Sequence, residues 1–202
     1  MEEKDEPLLL KDPDLSGTYT AKDYLKWQLD ELVELIRGKI FRMSPSPASN
    51  HQRIAGELHI QLRNYFDNYK KCEVFIAPFD VYLVKQGQDY KETENIVEPD
   101  LTVICEPDKV KSFGCVGSPD LIVEILSPST SRKDTKLKFE LYEEYGVREY
   151  WVVSPEKKSV IIYALKNGKY HALRQAVNPG VIRSGIFSEL EIDLEIVFRR
   201  VQ

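Results

Sequence analysis

The chain is short of several residue types that define whole function classes. It has only three cysteines, Cys72, Cys105 and Cys115, with no CxxC spacing among them. An odd count without metal-ligand spacing argues against a disulfide framework and against a cysteine zinc site, and leaves reduced, buried thiols as the expectation. That expectation goes with a cytoplasmic protein. Three histidines, two of them eight positions apart at His51 and His59, are too few and too scattered for a histidine zinc cluster. No apolar run approaches the roughly 18–20 residues that span a bilayer, so no membrane partner is expected. The first residues, MEEKDEPLLLKDPDL, lack the basic start of a secretory signal. Lys and Arg do not predominate: 28 basic against 33 acidic residues give a net charge of −5. That balance disfavours a constitutive, tight nucleic-acid binder, though not an enzyme with a local basic strip. Glycine-rich phosphate loops and the GxSxG elbow are also absent.

What is present is a chain of 202 residues with 42% hydrophobic and 30% charged side chains, enough for one packed domain. An acidic lead-in over 1–18 is expected to precede a single domain over 19–202, with its core at about 50–154. Thr20 and Asp23 read as a helix start, with the helix running to about Leu29. Segments 33–36 and 39–43 flank Arg37-Gly38 as a hairpin that Pro45 and Pro47 end. Ile54, Leu58, Leu62, Tyr65 and Phe66 recur at helical spacing within 49–69. Strands are predicted at 74–84, 99–105, 120–126, 149–154 and 159–165, with a further arm over GKYHALRQ. The segments 85–96 and 106–119 read as connections. A helix is expected over about 133–145, ended by Gly146. The closing LEIDLEIVF is apolar but short. Helices alternating with strands predict an α/β (α+β) fold, a mixed sheet flanked by helices.

The run DLIVEIL at 120–126 poses a chemical question. Strand side chains alternate, so Glu124 shares a face with Asp120, Ile122 and Leu126, where packing should be apolar. An unpaired ionised carboxylate there would cost several kcal/mol. A cation, a lysine or a solvated cleft would resolve the conflict. Asp100 opens the preceding strand in EPD, and two strands with one carboxylate each suit a hard cation such as Mg²⁺. On the following helix the stripe Asp134, Lys138, Tyr142 and Tyr145 brings up a lysine. Taken alone, Lys138 is an ordinary solvated residue, and the aromatics Tyr142, Tyr145, Tyr150 and Trp151 are spaced as core.

Together, PD at 99–100, Glu124 and D-xxx-K-xxx-Y at 134–142 resemble the PD-(D/E)xK nuclease superfamily, and more narrowly its Uma-type restriction endonuclease family of bacteria. The matching phrases are ELIRGKI, MSPSPASNHQRI, APFDVYL, EPDLTVI, SPDLIVEILSPSTSRKDTKLKFELYEEYGVREYWVVSP and LEIDLEIVF, spread over about residues 19–198. The resemblance implies a restriction-endonuclease-like core and Mg²⁺-dependent hydrolysis of DNA phosphodiester bonds, with Mn²⁺ as a substitute. Asp100 and Glu124 would then be metal ligands, with the carbonyl of Ile125 as a third oxygen. Leu126 stands where the superfamily has its lysine, so the implied catalytic lysine is Lys138, with Arg132 and Lys133 as flanking substitutes. His51 and Glu34 match supporting positions, and Asp80 ranks below them. Asp120, in the second PD, is expected to shape a turn. A homodimer would suit cleavage of both strands. The rival reading, favoured by Leu126 and the acidic charge, is a catalytically silent interaction module on the same fold.

Overall fold

In the computed structural model, residues 14, 16–27, 31–43, 49–69, 72–127 and 132–202 are described, with only the backbone given for Tyr69 and for 132–134. The lead-in up to Pro13, Leu29, Pro45, Pro47 and the side chains of Arg132, Lys133 and Asp134 lie outside the described residues.

The Thr20–Asp23 pair forms the expected capping box, Thr20 N donating to Asp23 Oδ2 at 2.9 Å, and opens helix α1 (Ala21–Tyr24). Strands β1 (Val33–Ile36) and β2 (Lys39–Arg42) pair antiparallel. Arg37 and Gly38, with φ of +51° and +71°, make the tight turn between them. The long helix α2 (Ser49–Tyr69) follows. Its face Ile54, Leu58, Leu62 and Phe66 is buried.

The segment predicted as one strand at 74–84 is two. β3 (Glu73–Ile76) belongs to one sheet and β4 (Val81–Tyr82) to another, with the chain turning at Ala77–Phe79. The connections hold more structure than their polarity suggests. A 3₁₀ turn at Tyr90–Glu92 precedes β5 (Ile96–Val97) and β6 (Leu101–Ile104). The hairpin β7 (Val110–Lys111) and β8 (Gly114–Val116) fills the segment before β9 (Leu121–Ile125). Helix α3 (Arg132–Tyr145) ends at Gly146, φ +80°, and leads into β10 (Glu149–Ser154), parallel to β9. β11 (Ser159–Lys166), β12 (Lys169–Val177), β13 (Val181–Arg183) and β14 (Glu191–Asp193) complete the strands. The apolar tail is strand and then helix. Only Glu191–Asp193 is extended, and helix α4 (Leu194–Phe198) follows because the Asp193 carboxylate caps the free N–H groups of Glu195 and Ile196.

The single mixed sheet expected from sequence is two six-stranded sheets and a two-stranded pair. The central sheet runs β12-β11-β10-β9-β6-β3, and the smaller one β2-β1-β5-β4-β8-β7. One face of the central sheet, with Leu121, Val123 and Ile125, packs on α2 and the C-terminal elements. The other, with Ile122 and Tyr150, packs on α3 and the inner face of the smaller sheet. The smaller sheet's outer face, with Leu35, Tyr82 and Ile96, is covered from the α1 side. Each such aliphatic side chain contributes roughly 1.5–3 kcal/mol by burial. The aromatics Tyr142, Tyr150 and Trp151 are core as expected. Asp120 anchors a turn by accepting from Cys105 N and Arg148 Nη1.

The cysteine reading is corrected. Cys72 and Cys105 form a disulfide, and Cys115 is free and buried. The antiparallel register Glu73↔Ile104 sets the two residues side by side just beyond the β3–β6 ladder. Their separation of 33 positions gave no hint of this contact. Among the described residues no helix is long and apolar enough to cross a membrane.

Candidate active site

The site lies where the two sheets meet α3. The register Leu101↔Val123 continues one step outward, bringing Asp100 opposite Glu124 on neighbouring antiparallel strands. Asp100 is held by its own surroundings: Oδ2 accepts the Ile125 N–H at 2.6 Å, and Oδ1 lies 3.1 Å from His51 Nε2. The start of α2 thus sets His51 over Asp100. His51 Nδ1 is buried and finds no partner among the described residues. Burial opposes a charge on this ring, but the hydrogen bond and charge of Asp100, with Glu124 behind it, move its pKa upward.

Lys138 rises from α3 between the sheets. Its amine is 2.9 Å from Glu124 Oε1 on the central sheet and 2.7 Å from Glu34 Oε1 on the smaller one. Both carboxylates are largely buried. Burial works against the ammonium, yet Glu124 and Glu34 outweigh it and raise the lysine pKa. Tyr142, one turn further along α3, donates its hydroxyl to the same Glu124 oxygen at 2.6 Å. Burial and the two nearby glutamates hold that phenol protonated, so it stays a donor. The stripe seen in sequence therefore meets Glu124 through Lys138 and Tyr142, while Tyr145 turns to Asn95.

Two acids were underrated in the sequence. Glu34 is buried rather than solvent-facing, and its Oε1 also accepts the Glu98 N–H at 3.0 Å. Glu98 itself was not singled out. The register Val81↔Val97 places it opposite Asp80. Burial, then the charges of Asp80 and Glu34, push its carboxyl up to about 7. Among the described residues no donor reaches Glu98 Oε2, while the Glu98 carboxyl hydrogen-bonds that of Asp80. Burial also raises Asp80, against hydrogen bonds from Tyr24, Glu98 and Tyr82. Glu124 is pushed up to about 7 by burial and by Asp100 and Glu34, with Lys138 pulling the other way.

The result is a row of five acids, Glu34, Asp80, Glu98, Asp100 and Glu124, which among the described side chains faces one lysine and one histidine. The row is short of positive charge, and protons make up part of the deficit. Among the described residues no three or more His, Cys, Asp or Glu side chains are arranged as a metal cage. A hard cation that keeps several waters needs only one or two carboxylates, and Asp100 with Glu124 meets that requirement. A separate shallow cleft of about 200 Å³ lies between α2 and α4, lined by Arg53, Arg199 and Arg200 among others, and includes none of these acids.

Paired strand carboxylates beside a helix-borne lysine, on a central sheet flanked by helices, define a nuclease-like α+β protein. Comparison with known proteins agrees. The family model Uma2, described as "Putative restriction endonuclease", matches residues 21–195. The chain belongs to that family. It is 30% identical over 147 residues to an uncharacterized Synechocystis protein, slr1290, covering 71% of this chain and 73% of the relative. Its fold is similar to the crystal structure of a "putative nuclease belonging to DUF820" from Anabaena variabilis. The TM-score is 0.71 at 19% identity, covering 91% of this chain and 99% of that one.

Proposed function

We propose that the chain is a Mg²⁺-dependent endonuclease that hydrolyses DNA phosphodiester bonds at this site. The observation that carries the reading is the charge deficit: buried acids on two sheets converge on one lysine and hold protons near neutral pH. A divalent cation is the natural occupant of such a place. Asp100 and Glu124 would hold it, with the Ile125 carbonyl as a third oxygen. Once bound, it would supply Lewis-acid stabilisation of the phosphoryl oxygens and acidify a water.

The chain's own groups have separable tasks. Lys138, fixed by Glu34 and Glu124, presents an ammonium that offsets the charge developing on the phosphate. Tyr142 fixes the Glu124 carboxylate by donating to Oε1, so its other oxygen is the one turned to a cation. His51 orients Asp100 through its Nε2 contact with Oδ1. Leu126, in the position of the usual lysine, is no obstacle, because the amine of Lys138 reaches Glu124 from α3.

The test is metal-dependent cleavage by wild type and Glu124→Ala on double-stranded, single-stranded and branched DNA, with RNA as a further arm. Activity lost in the variant supports the proposal. Equal activity in both, with contaminating nuclease excluded, refutes it. If wild type cleaves nothing and binds no cation at high Mn²⁺, the silent module is the better reading.

A further inference from the structure

The hairpin β7–β8 has a two-residue turn, Ser112-Phe113, closed by the pair Lys111↔Gly114. This tip is seated against the acid row. The register Val81↔Cys115 puts Gly114 beside Asp80, and a Cβ on Gly114 would lie 2.4 Å from the Asp80 carbonyl oxygen. With φ at +143° as well, only glycine fits there. Asp80 in turn faces Glu98, two residues before Asp100. The tip therefore stands at the same end of the smaller sheet as Asp80 and Glu98, with its rings on the outer face beside Tyr82.

Turn tips usually carry small polar residues. Here Phe113 is 41% exposed. Its ring stacks on Tyr90, with centroids 5.3 Å apart and planes at 27°. Both rings meet Tyr82 edge-on, at 5.4 and 5.8 Å, and the Tyr82 hydroxyl reaches Asp80 Oδ2. The aromatic pair is therefore braced from beneath by a buried residue tied to the site. Exposed Lys91 and Lys111 flank it. Asp89 and Glu92 share the loop, but Asp89 is turned to its own backbone, accepting Lys91 N.

We propose that the Tyr90–Phe113 pair is a stacking platform for an unpaired base next to the cleavage site, so that the substrate is single-stranded or frayed nucleic acid. The inference rests on the nuclease reading above and narrows its substrate class. An aromatic face accepts any base, and lysines beside it take the adjoining phosphates. With only two such lysines on an acidic protein, stacking carries the affinity. The dependence of log K on log salt is then shallow, about −1.4 for two contacts to a single strand.

The experiment is fluorescence anisotropy with a labelled single-stranded oligonucleotide and its duplex, in Ca²⁺ to limit cleavage, plus 2-aminopurine fluorescence in the single strand. Wild type should prefer the single strand and quench 2-aminopurine. Phe113→Ala should bind the single strand about tenfold more weakly without quenching, and leave duplex binding unchanged. Phe113→Trp should restore both readouts and Phe113→Leu neither, with urea midpoints confirming that all variants fold. The platform is overturned if Phe113→Leu behaves as wild type, or if Phe113→Ala changes nothing or weakens both substrates equally. Should that happen while wild type still cleaves DNA in Mg²⁺, the nuclease reading stands alone. Wild type that neither binds nor cleaves any nucleic acid removes both.

Discussion

Replacing Lys138 by methionine keeps most of the side chain's length and removes its charge. The amine sits 2.7 Å from Glu34 and 2.9 Å from Glu124, both inside the protein. At an effective dielectric of about 20, each contact is worth about 6 kcal/mol of gross Coulomb energy, most of it cancelled by the cost of stripping water from the ions. Breaking such a buried arrangement by removing one partner typically costs about 3–5 kcal/mol, because the acids are left uncompensated. The loss must depend on pH. The folded pKa of Glu124 is already raised to about 7 from 4.5. A raised carboxyl contributes stability that is fully present below the unfolded pKa and lost as pH rises through the folded one. Without Lys138 the folded value climbs further, so the variant's deficit grows as pH rises through about 7, where wild-type Glu124 ionises and the variant's does not. Urea melts at pH 5.5 and pH 8 measure it. At a slope of about 2 kcal/mol per M, the pH 8 midpoint should fall by about 1.5–2.5 M, and by clearly less at pH 5.5. Adding Glu124→Gln removes one stranded charge and should recover about 1–2 kcal/mol. A pH 8 loss below about 1 kcal/mol, or one equal at both pH values, would show that the lysine is solvated rather than clamped between the sheets.

The same proton balance governs metal binding. Because Glu98 and Glu124 have folded pKa values near 7, cation affinity should fall as pH drops through 7, with protons released on binding below it. Calorimetry in two buffers of different ionisation enthalpy detects that release, and affinity flat from pH 6 to 8 argues against the site. Tyr142→Phe removes a 2.6 Å donor to a charged acceptor and should cost about 1.5–3 kcal/mol of stability, read by thermal melts. Thiol titration in denaturant without reductant should find one reactive cysteine, Cys115, rising to three after reduction; three at the outset would remove the Cys72–Cys105 bond.

How much of this was legible depended on whether the determining contacts were local. Helix α2 and the β1–β2 hairpin announce themselves by period and by Arg37-Gly38, since those signals lie within one element. The pairing of Asp100 with Glu124 was also within reach, because each acid opens or interrupts a strand whose other residues demand burial. Glu34, Glu98 and the disulfide were harder. Their roles arise from cross-strand registers joining segments far apart in sequence, and a single chain carries no local mark of register. The 74–84 strand was misjudged for a related reason. Its composition is uniformly strand-like, yet Ala77–Phe79 carries the chain out of the central sheet and into the smaller one, a purely tertiary event. The tail was a missed local signal: Asp193 before Leu194-Glu195 is a capping arrangement, which the alternating LEIDLEI pattern obscured.

That crossing at Ala77–Phe79 bears on how the site can work. The smaller sheet supplies Glu34, Asp80 and Glu98, while the central sheet supplies Asp100, at the start of β6, and Glu124, in β9. Lys138 is the cation that touches acids from both sheets. A lysine in the usual position, two residues after Glu124, would point from the same strand as its partner and could not tie Glu34 to Glu124. Moving the amine to α3 frees position 126 and makes the positive charge a tie between layers as well as a reagent. On the proposed mechanism, positioning of the two sheets and charge at the phosphate would then depend on one side chain. A variant that preserves charge but not reach, Lys138→Arg, separates these roles: its planar fork keeps the charge but cannot reproduce both short contacts. Stability close to wild type with cleavage reduced at least tenfold would mean that placement of the charge, beyond its presence, is what Lys138 contributes. Cleavage retained at the wild-type level would show that any cation on α3 suffices.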